Sequence, residues 1–180
     1  MIPAADAGLR TVVVGTSGAG KTTLARRLAL ARGMPHVELD ALHWEPDWVE
    51  APDAVMRERV TTAIAGDRWV VDGNYLQLAD LVWARATRIV WLDLPFPVVL
   101  TRVVLRTLRR GWRGEVLWSG NRESLWKNLT SRDSVIWWAV RTFAGRRRTY
   151  GRRMTDPAAP PFVRLRSRRD VTAFLAAEGA

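Results

Sequence analysis

The chain has no cysteine and only two histidines, His36 and His43, among its 180 residues. Disulfide scaffolds and cysteine-based zinc sites are therefore excluded, and a histidine-rich metal centre has too few ligands. Lysine is nearly absent too: Lys21 and Lys127 are the only two, so arginine carries almost all the positive charge. Long apolar runs are missing. The most apolar stretch, 89–105, is broken by Asp93, Pro95, Pro97 and Arg102, whereas a membrane span needs about 20 nearly uncharged residues. The first residues lack the basic and apolar regions of a secretory signal. These absences point to a soluble, cytoplasmic protein with no membrane partner.

What is present is enough apolar sequence, 48%, to build one folded domain of ordinary size. Charge is unevenly placed. Residues 1–100 hold 10 Lys+Arg against 12 Asp+Glu, a net of −2, while residues 101–180 hold 18 against 6, a net of +12. An acidic partner would meet the second half. Arginine forks suit phosphate oxygens, which they hold bidentately; a GC-rich genome would produce the same bulk arginine excess.

Short apolar runs at 11–14, 36–39, 69–71, 88–92 and 162–165 are each bounded by turn residues, as strands buried on both faces are. Helical periods lie between and after them, at 21–32, 52–65, 76–84 and 168–177. Alternating strands and helices predict an α/β fold with a parallel sheet. Pro52 and Pro97 suit first helical turns, and Ser167 to Asp170 has capping-box spacing. The basic region 97–150 exceeds a plain crossover helix and reads as an insertion. A helical projection puts Leu100, Val104 and Leu108 on one stripe and Arg102, Arg106, Arg109 and Arg113 opposite. Val135, Ile136, Ala139, Val140 and Phe143 predict a second buried helix face. Trp69, Trp91, Trp137 and Trp138 are expected to pack the core.

The strongest signal is Gly15-Thr16-Ser17-Gly18-Ala19-Gly20-Lys21-Thr22. It fits G-x-x-x-x-G-K-S/T, with a strand before it and an amphipathic helix after. Inward-pointing amides of such a loop, and of Thr23 just beyond, would surround the phosphates of ATP. Lys21 would span the β- and γ-phosphates, and the Thr22 hydroxyl would meet Mg²⁺. A glycine turn that binds nothing is the plain alternative, but the flanking elements favour nucleotide.

Asp40, Asp72 and Asp93 each close an apolar run, and ligands of open parallel sheets lie beyond the carboxyl ends of the strands. Asp72 is assigned with Thr22 to the metal, and Asp40 to the group receiving the phosphoryl. Asp93 is equally well read as a turn or cap residue. His43 would make a structural hydrogen bond or contact the acceptor, and Trp44, Trp48 and Tyr75 would wall an acceptor ring. Arg106, Arg109 and Arg113 are the candidates for transition-state contact, with Arg110 as a neighbour in another register; a solvated basic face is the alternative for each.

With these residues in view, the chain resembles the adenylate-kinase-like P-loop kinases. Within them it is similar to the small bacterial proteins labelled DNA topology modulation protein, or FlaR-related. The resemblance is carried by 15–22, Leu39-Asp40-Ala41-Leu42-His43-Trp44, Trp69-Val70-Val71-Asp72-Gly73-Asn74-Tyr75, Trp91-Leu92-Asp93-Leu94-Pro95 and Leu117 to Ser124. It implies a three-layer P-loop fold with five parallel strands in the order 2-3-1-4-5. It also implies an arginine-rich lid over ATP, giving one domain with a core of 9–97 and 160–180 and an insertion at about 98–150. Related nucleoside monophosphate kinases follow Asp-Gly with an aromatic residue, proline and arginine, where this chain has Asn74-Tyr75. Either Arg57 or Arg85 replaces that arginine, or the acceptor is not a nucleoside monophosphate. The lid lacks cysteines, which excludes a zinc-clamped version.

The expected activity is phosphoryl transfer from Mg-ATP to a nucleotide, nucleoside or metabolite, by a monomer or homodimer. The competing expectation is a nucleic-acid-binding P-loop ATPase acting on DNA topology. It rests on the basic second half interleaved with Trp112, Trp118 and Trp126, and on the run Arg146-Arg147-Arg148.

Overall fold

The computed structural model describes residues 9–122 and 134–180. Five strands, β1 (Arg10–Gly15), β2 (His36–Glu38), β3 (Trp69–Asp72), β4 (Arg88–Leu92) and β5 (Phe162–Leu165), form one sheet in the order β2-β3-β1-β4-β5. Every pairing is parallel. Each strand matches an expected apolar run to within two residues, and the order is the one the resemblance implies.

The strands are apolar throughout because both faces are covered. Val13, Val70, Val90 and Leu92 point to one core, with α1 (Lys21–Ala31), α5 (Phe96–Arg113) and α7 (Arg168–Ala177). Val12, Val14, Trp69, Val71, Ile89 and Trp91 alternate to the other, under α3 (Asp53–Ala63) and α4 (Ala79–Val82). Leu24, Ala25, Leu28 and Ala29 give α1 its buried face at the i, i+1, i+4, i+5 spacing. Ser167 and Asp170 form the expected capping box, each side chain accepting the other's backbone N–H, and start α7.

The helix α6 (Val135–Met154) contributes Ala139 to the first core and Tyr150 to the second. At about 1.5 Å per residue its span is about 30 Å, enough to cross the carboxyl edge of the sheet. Val99 and Val103 of α5 and Ala139 of α6 belong to the same buried cluster as the strands.

Several helical faces differ from expectation. The buried stripe of α5 is Val99, Val103 and Thr107, one residue out of phase with Leu100, Val104 and Leu108. A shift of one residue rotates a helix face by about 100°, and Leu108 is left 40% exposed. Trp69 and Trp91 are buried as expected, but Trp137 and Trp138 are 49% and 43% exposed, because only Ala139 of that turn is fully buried. Asp40 does not end a strand: Leu39 and Asp40 start the short helix α2 (Leu39–His43), and β2 stops at Glu38. No helix among the described residues is long and apolar enough to cross a membrane.

Candidate active site

The loop after β1 turns on glycines that a side chain could not replace. Gly18 has φ +80°, and a Cβ there would lie 2.3 Å from Cγ2 of Val103, so α5 rests directly on the loop. Gly20, at φ +99°, leads into α1 without any side-chain cap. The first N–H groups of that helix are consequently left for a ligand, with the positive end of the helix dipole behind them.

Neighbouring elements hold the loop in place. Asn74, just past β3, accepts the Gly15 N–H on Oδ1 (3.2 Å) and donates Nδ2 to the Gly15 carbonyl (2.7 Å). Arg102 donates to the Ala19 carbonyl (3.0 Å), and Arg106 donates to Ser17 Oγ (3.2 Å). Ala19 N–H closes a turn on Thr16 O (3.0 Å), the carbonyl that Lys21 Nζ also approaches (3.5 Å).

Beside the loop, Thr22 donates its hydroxyl to Asp72 Oδ1 (3.2 Å), and His36 Nε2 meets Asp72 Oδ2 (2.8 Å). The register Val13↔Asp72 brings the end of β3 alongside the end of β1. Asp72 is 2% exposed and lies behind Thr22, off the cleft wall. In the same cleft, Asp40 Oδ1 accepts the Tyr75 hydroxyl (2.7 Å). Burial pushes the Tyr75 phenol far above its ordinary value, and the Asp40 charge and hydrogen bond push the same way.

A cleft of about 1820 Å³ runs between these groups, larger than a single small-molecule site usually is. Of the expected residues, Ser17, Gly18, Ala19, Gly20, Lys21, Thr22, Thr23, Asp40, Arg106 and Arg109 line it. Gly15 and Thr16 do not: Asn74 occupies both backbone groups of Gly15, and Thr16 is buried. Arg113, the last residue of α5, lies outside the lining, to which that helix contributes Arg102, Arg106, Arg109 and Arg110.

Sequence reasoning missed Arg146. It lies on α6 in the inward stripe Ala139, Phe143, Arg146, Tyr150, whose 4-3-4 spacing is the available signal. Its guanidinium stacks on Trp138, 4.0 Å from the ring centroid, and its buried Nη1 has no hydrogen-bond partner among the described residues. Burial lowers its pKa, while Tyr150, Asp40 and Tyr75 oppose that shift. Lys21 is lowered as well, first by burial and then by Arg146 and Arg106, against Asp40 and Asp72. Two cations thus sit desolvated at one point, which an anionic ligand would relieve.

Other expectations resolve differently. Asp93 is 6% exposed and pairs with Arg164 (2.5 Å) and Arg147 (3.1 Å), an ion cluster outside the cleft lining. His43 lies 3.9 Å from Glu50 and packs against Trp44 and Tyr75. Arg57 is engaged with Asp80 and the Gln77 carbonyl, Arg85 with the carbonyls of Ala65 and Gly66, and neither lines the cleft. The arginine run divides: Arg146 faces the cleft, Arg147 binds Asp93 and Arg148 is exposed. Trp118 lines the cleft and donates to Glu38 (3.1 Å), whereas Trp112 is 87% exposed. Glu123, Ser124, Trp126 and Lys127 lie outside the described residues.

No family model matches the chain, and no curated protein does. Solved structures do. A gluconokinase from Sinorhizobium meliloti 1021 is 18% identical with a TM-score of 0.53, over 96% of this chain and 94% of its own. A shikimate kinase from Bacteroides thetaiotaomicron is 17% identical at 0.50, over 94% and 95%. A sugar kinase from Janibacter sp. HTCC2649 is 18% identical at 0.50, over 93% of each chain. At these identities the likeness speaks for the fold: this chain has the P-loop kinase architecture, a five-stranded parallel sheet in the order 2-3-1-4-5 between helical layers.

Proposed function

We propose that the protein transfers the terminal phosphoryl group of ATP to a hydroxyl of a small-molecule acceptor. The observation that carries this reading is that Lys21, Thr22 and Asp40 line one cleft, with the Asp40 carboxylate near enough to Lys21 to be its main charge partner. The three structural neighbours, all named as kinases, support it. The motifs at 39–44, 69–75 and 91–95 favour the DNA-topology-modulation-labelled group within that class.

In this reading the amides of 18–23 and the start of α1 hold the phosphates, with Lys21 against the β- and γ-oxygens. Thr22 would offer Mg²⁺ a hard oxygen donor, and Asp72 behind it would orient that hydroxyl and add negative charge to the metal site. When bound, Mg²⁺ would neutralise charge on the β- and γ-oxygens. Asp40 is the base: Oδ1 is held by Tyr75, leaving Oδ2 to accept the proton of the acceptor hydroxyl. As the acceptor oxygen bonds to the γ-phosphorus and the bond to the β–γ bridging oxygen breaks, charge spreads over the equatorial oxygens. Arg146, Arg106 and Arg109 would meet that charge, and one well-placed arginine accounts for about 10³–10⁵ in rate. Closure of the cleft would exclude water and suppress hydrolysis.

The reading as a nucleic-acid-binding ATPase loses support from the divided arginine run and the inward Trp118. The test is ADP release with Mg-ATP across nucleosides, nucleotides and metabolites, with phosphorylated product followed by mass spectrometry. One acceptor should stimulate release, and Lys21→Ala should abolish it. Hydrolysis unaffected by every acceptor would overturn the proposal.

A further inference from the structure

The cleft changes sign along its length. At the loop end Lys21, Arg102, Arg106 and Arg110 crowd the wall, as a polyphosphate requires. At the other end the charges are mostly negative: Glu38, Asp40 and Glu50 line the wall. Among the described residues two lining arginines come near that half: Arg122 donates to the Gly114 carbonyl (3.2 Å), and Arg146, which feels the charge of Asp40, is stacked on Trp138. Cations of the elements behind are drawn elsewhere: Arg57 by Asp80, and Arg59 by Glu45 (2.7 Å) and the Leu42 carbonyl (3.1 Å).

The same end is aromatic. Trp44 and Trp48 pack edge to face at 5.5 Å, and Trp48 meets Trp118 at 6.5 Å. Trp118 Nε1 donates to Glu38 Oε2 (3.1 Å), so carboxylate and ring are held together. The wall is built with some backbone strain, since Asp47 and Trp48 adopt φ of 61° and 59°. For a bulky residue such as tryptophan that conformation is disfavoured and persists only when surroundings impose it, as they do at ligand sites. Here Asn121 imposes it, accepting the Trp48 N–H on Oδ1 (3.1 Å) and donating to the Glu45 carbonyl (2.8 Å). Ser119 donates to the Trp44 carbonyl (2.6 Å).

We infer that this wall selects a positively charged acceptor: a hydroxyl compound carrying an ammonium group, such as an amino sugar or amino alcohol. The inference rests on the phosphoryl-transfer reading and names its substrate class. Carboxylates pair with the ammonium, and the electron-rich faces of tryptophan attract the same charge. A phosphate- or carboxylate-bearing acceptor would instead face Glu38, Asp40 and Glu50, where like charges repel. The ammonium is spatially separate from the hydroxyl that reacts at Asp40, so the transfer chemistry is unaltered.

The test uses matched acceptors: glucosamine, glucose and glucuronate, and serinol, glycerol and glycerate. ADP release and phosphorylated product are measured for each with Mg-ATP. The ammonium member should exceed the carboxylate member by about tenfold or more in kcat/KM. Glu38→Gln, which keeps an oxygen for Trp118, and Glu50→Gln, at an exposed position, should each raise KM for the ammonium member and narrow that preference. Equal rates within each set, or preference for the carboxylate, would overturn the charge inference while leaving phosphoryl transfer standing. No stimulation by any member, or by the wider acceptor panel, would remove both.

Discussion

Asn74 grips the first glycine of the loop at both of its backbone groups, taking the Gly15 N–H and returning a hydrogen bond to the Gly15 carbonyl. Its Oδ1 also accepts the hydroxyl of Tyr150 from α6 (3.0 Å). One amide therefore joins β3, the loop and the helix that carries Arg146. Asn74→Ala leaves three buried polar groups short of a partner and should cost about 2–3 kcal/mol. Thermal unfolding should fall by several degrees, at about 2–4 °C per kcal/mol for a chain of this size. An unchanged midpoint would refute the clamp. On the proposed reading, KM for ATP should rise in the same variant.

His36 holds the oxygen of Asp72 that Thr22 does not use. On the proposed reading Asp72 belongs to the metal site, and losing an outer partner of such a carboxylate typically lowers metal affinity about 10–100-fold. His36→Ala should weaken Mn²⁺ binding measured by electron paramagnetic resonance with ATP analogue present. His36→Gln, which retains a donor at similar reach, should recover part of it. Identical Mn²⁺ affinity in wild type and His36→Ala would dismiss the role.

The parts legible in the sequence are those governed by local pattern. Strands buried on both faces leave continuous apolar runs, so β1, β3, β4 and β5 stand out without help. The glycine loop is equally local, since its spacing between strand and helix is itself the signal. Strand order was read from the resemblance. What stayed hidden depends on contacts far apart in the chain. Asp40 and Tyr75 are 35 positions apart, and His36 and Asp72 are 36. The phase of α5 is not legible in the sequence because Thr107, a polar residue, belongs to its buried stripe while Leu108 is partly exposed. Arg146 was hidden by its neighbours: three consecutive arginines read as one charged patch, yet a helix turns each by about 100°.

Glu178 fastens α7 to the rest of the fold. Its carboxylate binds Arg88 through both oxygens (2.5 and 3.0 Å) and Arg32 (3.1 Å), and the residue is 5% exposed. Burial raises its pKa, but the bonds and charges of Arg88 and Arg32 outweigh burial and hold it below the ordinary 4.5. A depressed carboxylate contributes stability above its unfolded pKa and loses it as pH falls through the folded value. Glu178→Gln should therefore cost about 3 kcal/mol in urea unfolding at pH 7, where it leaves buried guanidinium charge poorly paired. The difference from wild type should shrink below about pH 4.5. A gap that stays constant into acid would rule out the ion pair as its source.

Tyr150 provides the opposite test, at alkaline pH. Its ring stacks on Trp83 at 6.3 Å and tilts against Trp91 at 5.8 Å, with 1% exposure. Burial pushes its phenol from 10.0 up to about 12, against a smaller opposing effect of Arg146. Between those values the unfolded chain releases a proton that the folded chain keeps, so stability falls as pH rises, by about 2–3 kcal/mol in all. Tyr150→Phe removes that dependence and also the hydrogen bond to Asn74, worth about 1 kcal/mol. The variant should be the less stable protein at pH 8 and should overtake wild type as the pH approaches 12. Parallel stability curves for the two proteins would show that the phenol does not titrate from a buried position.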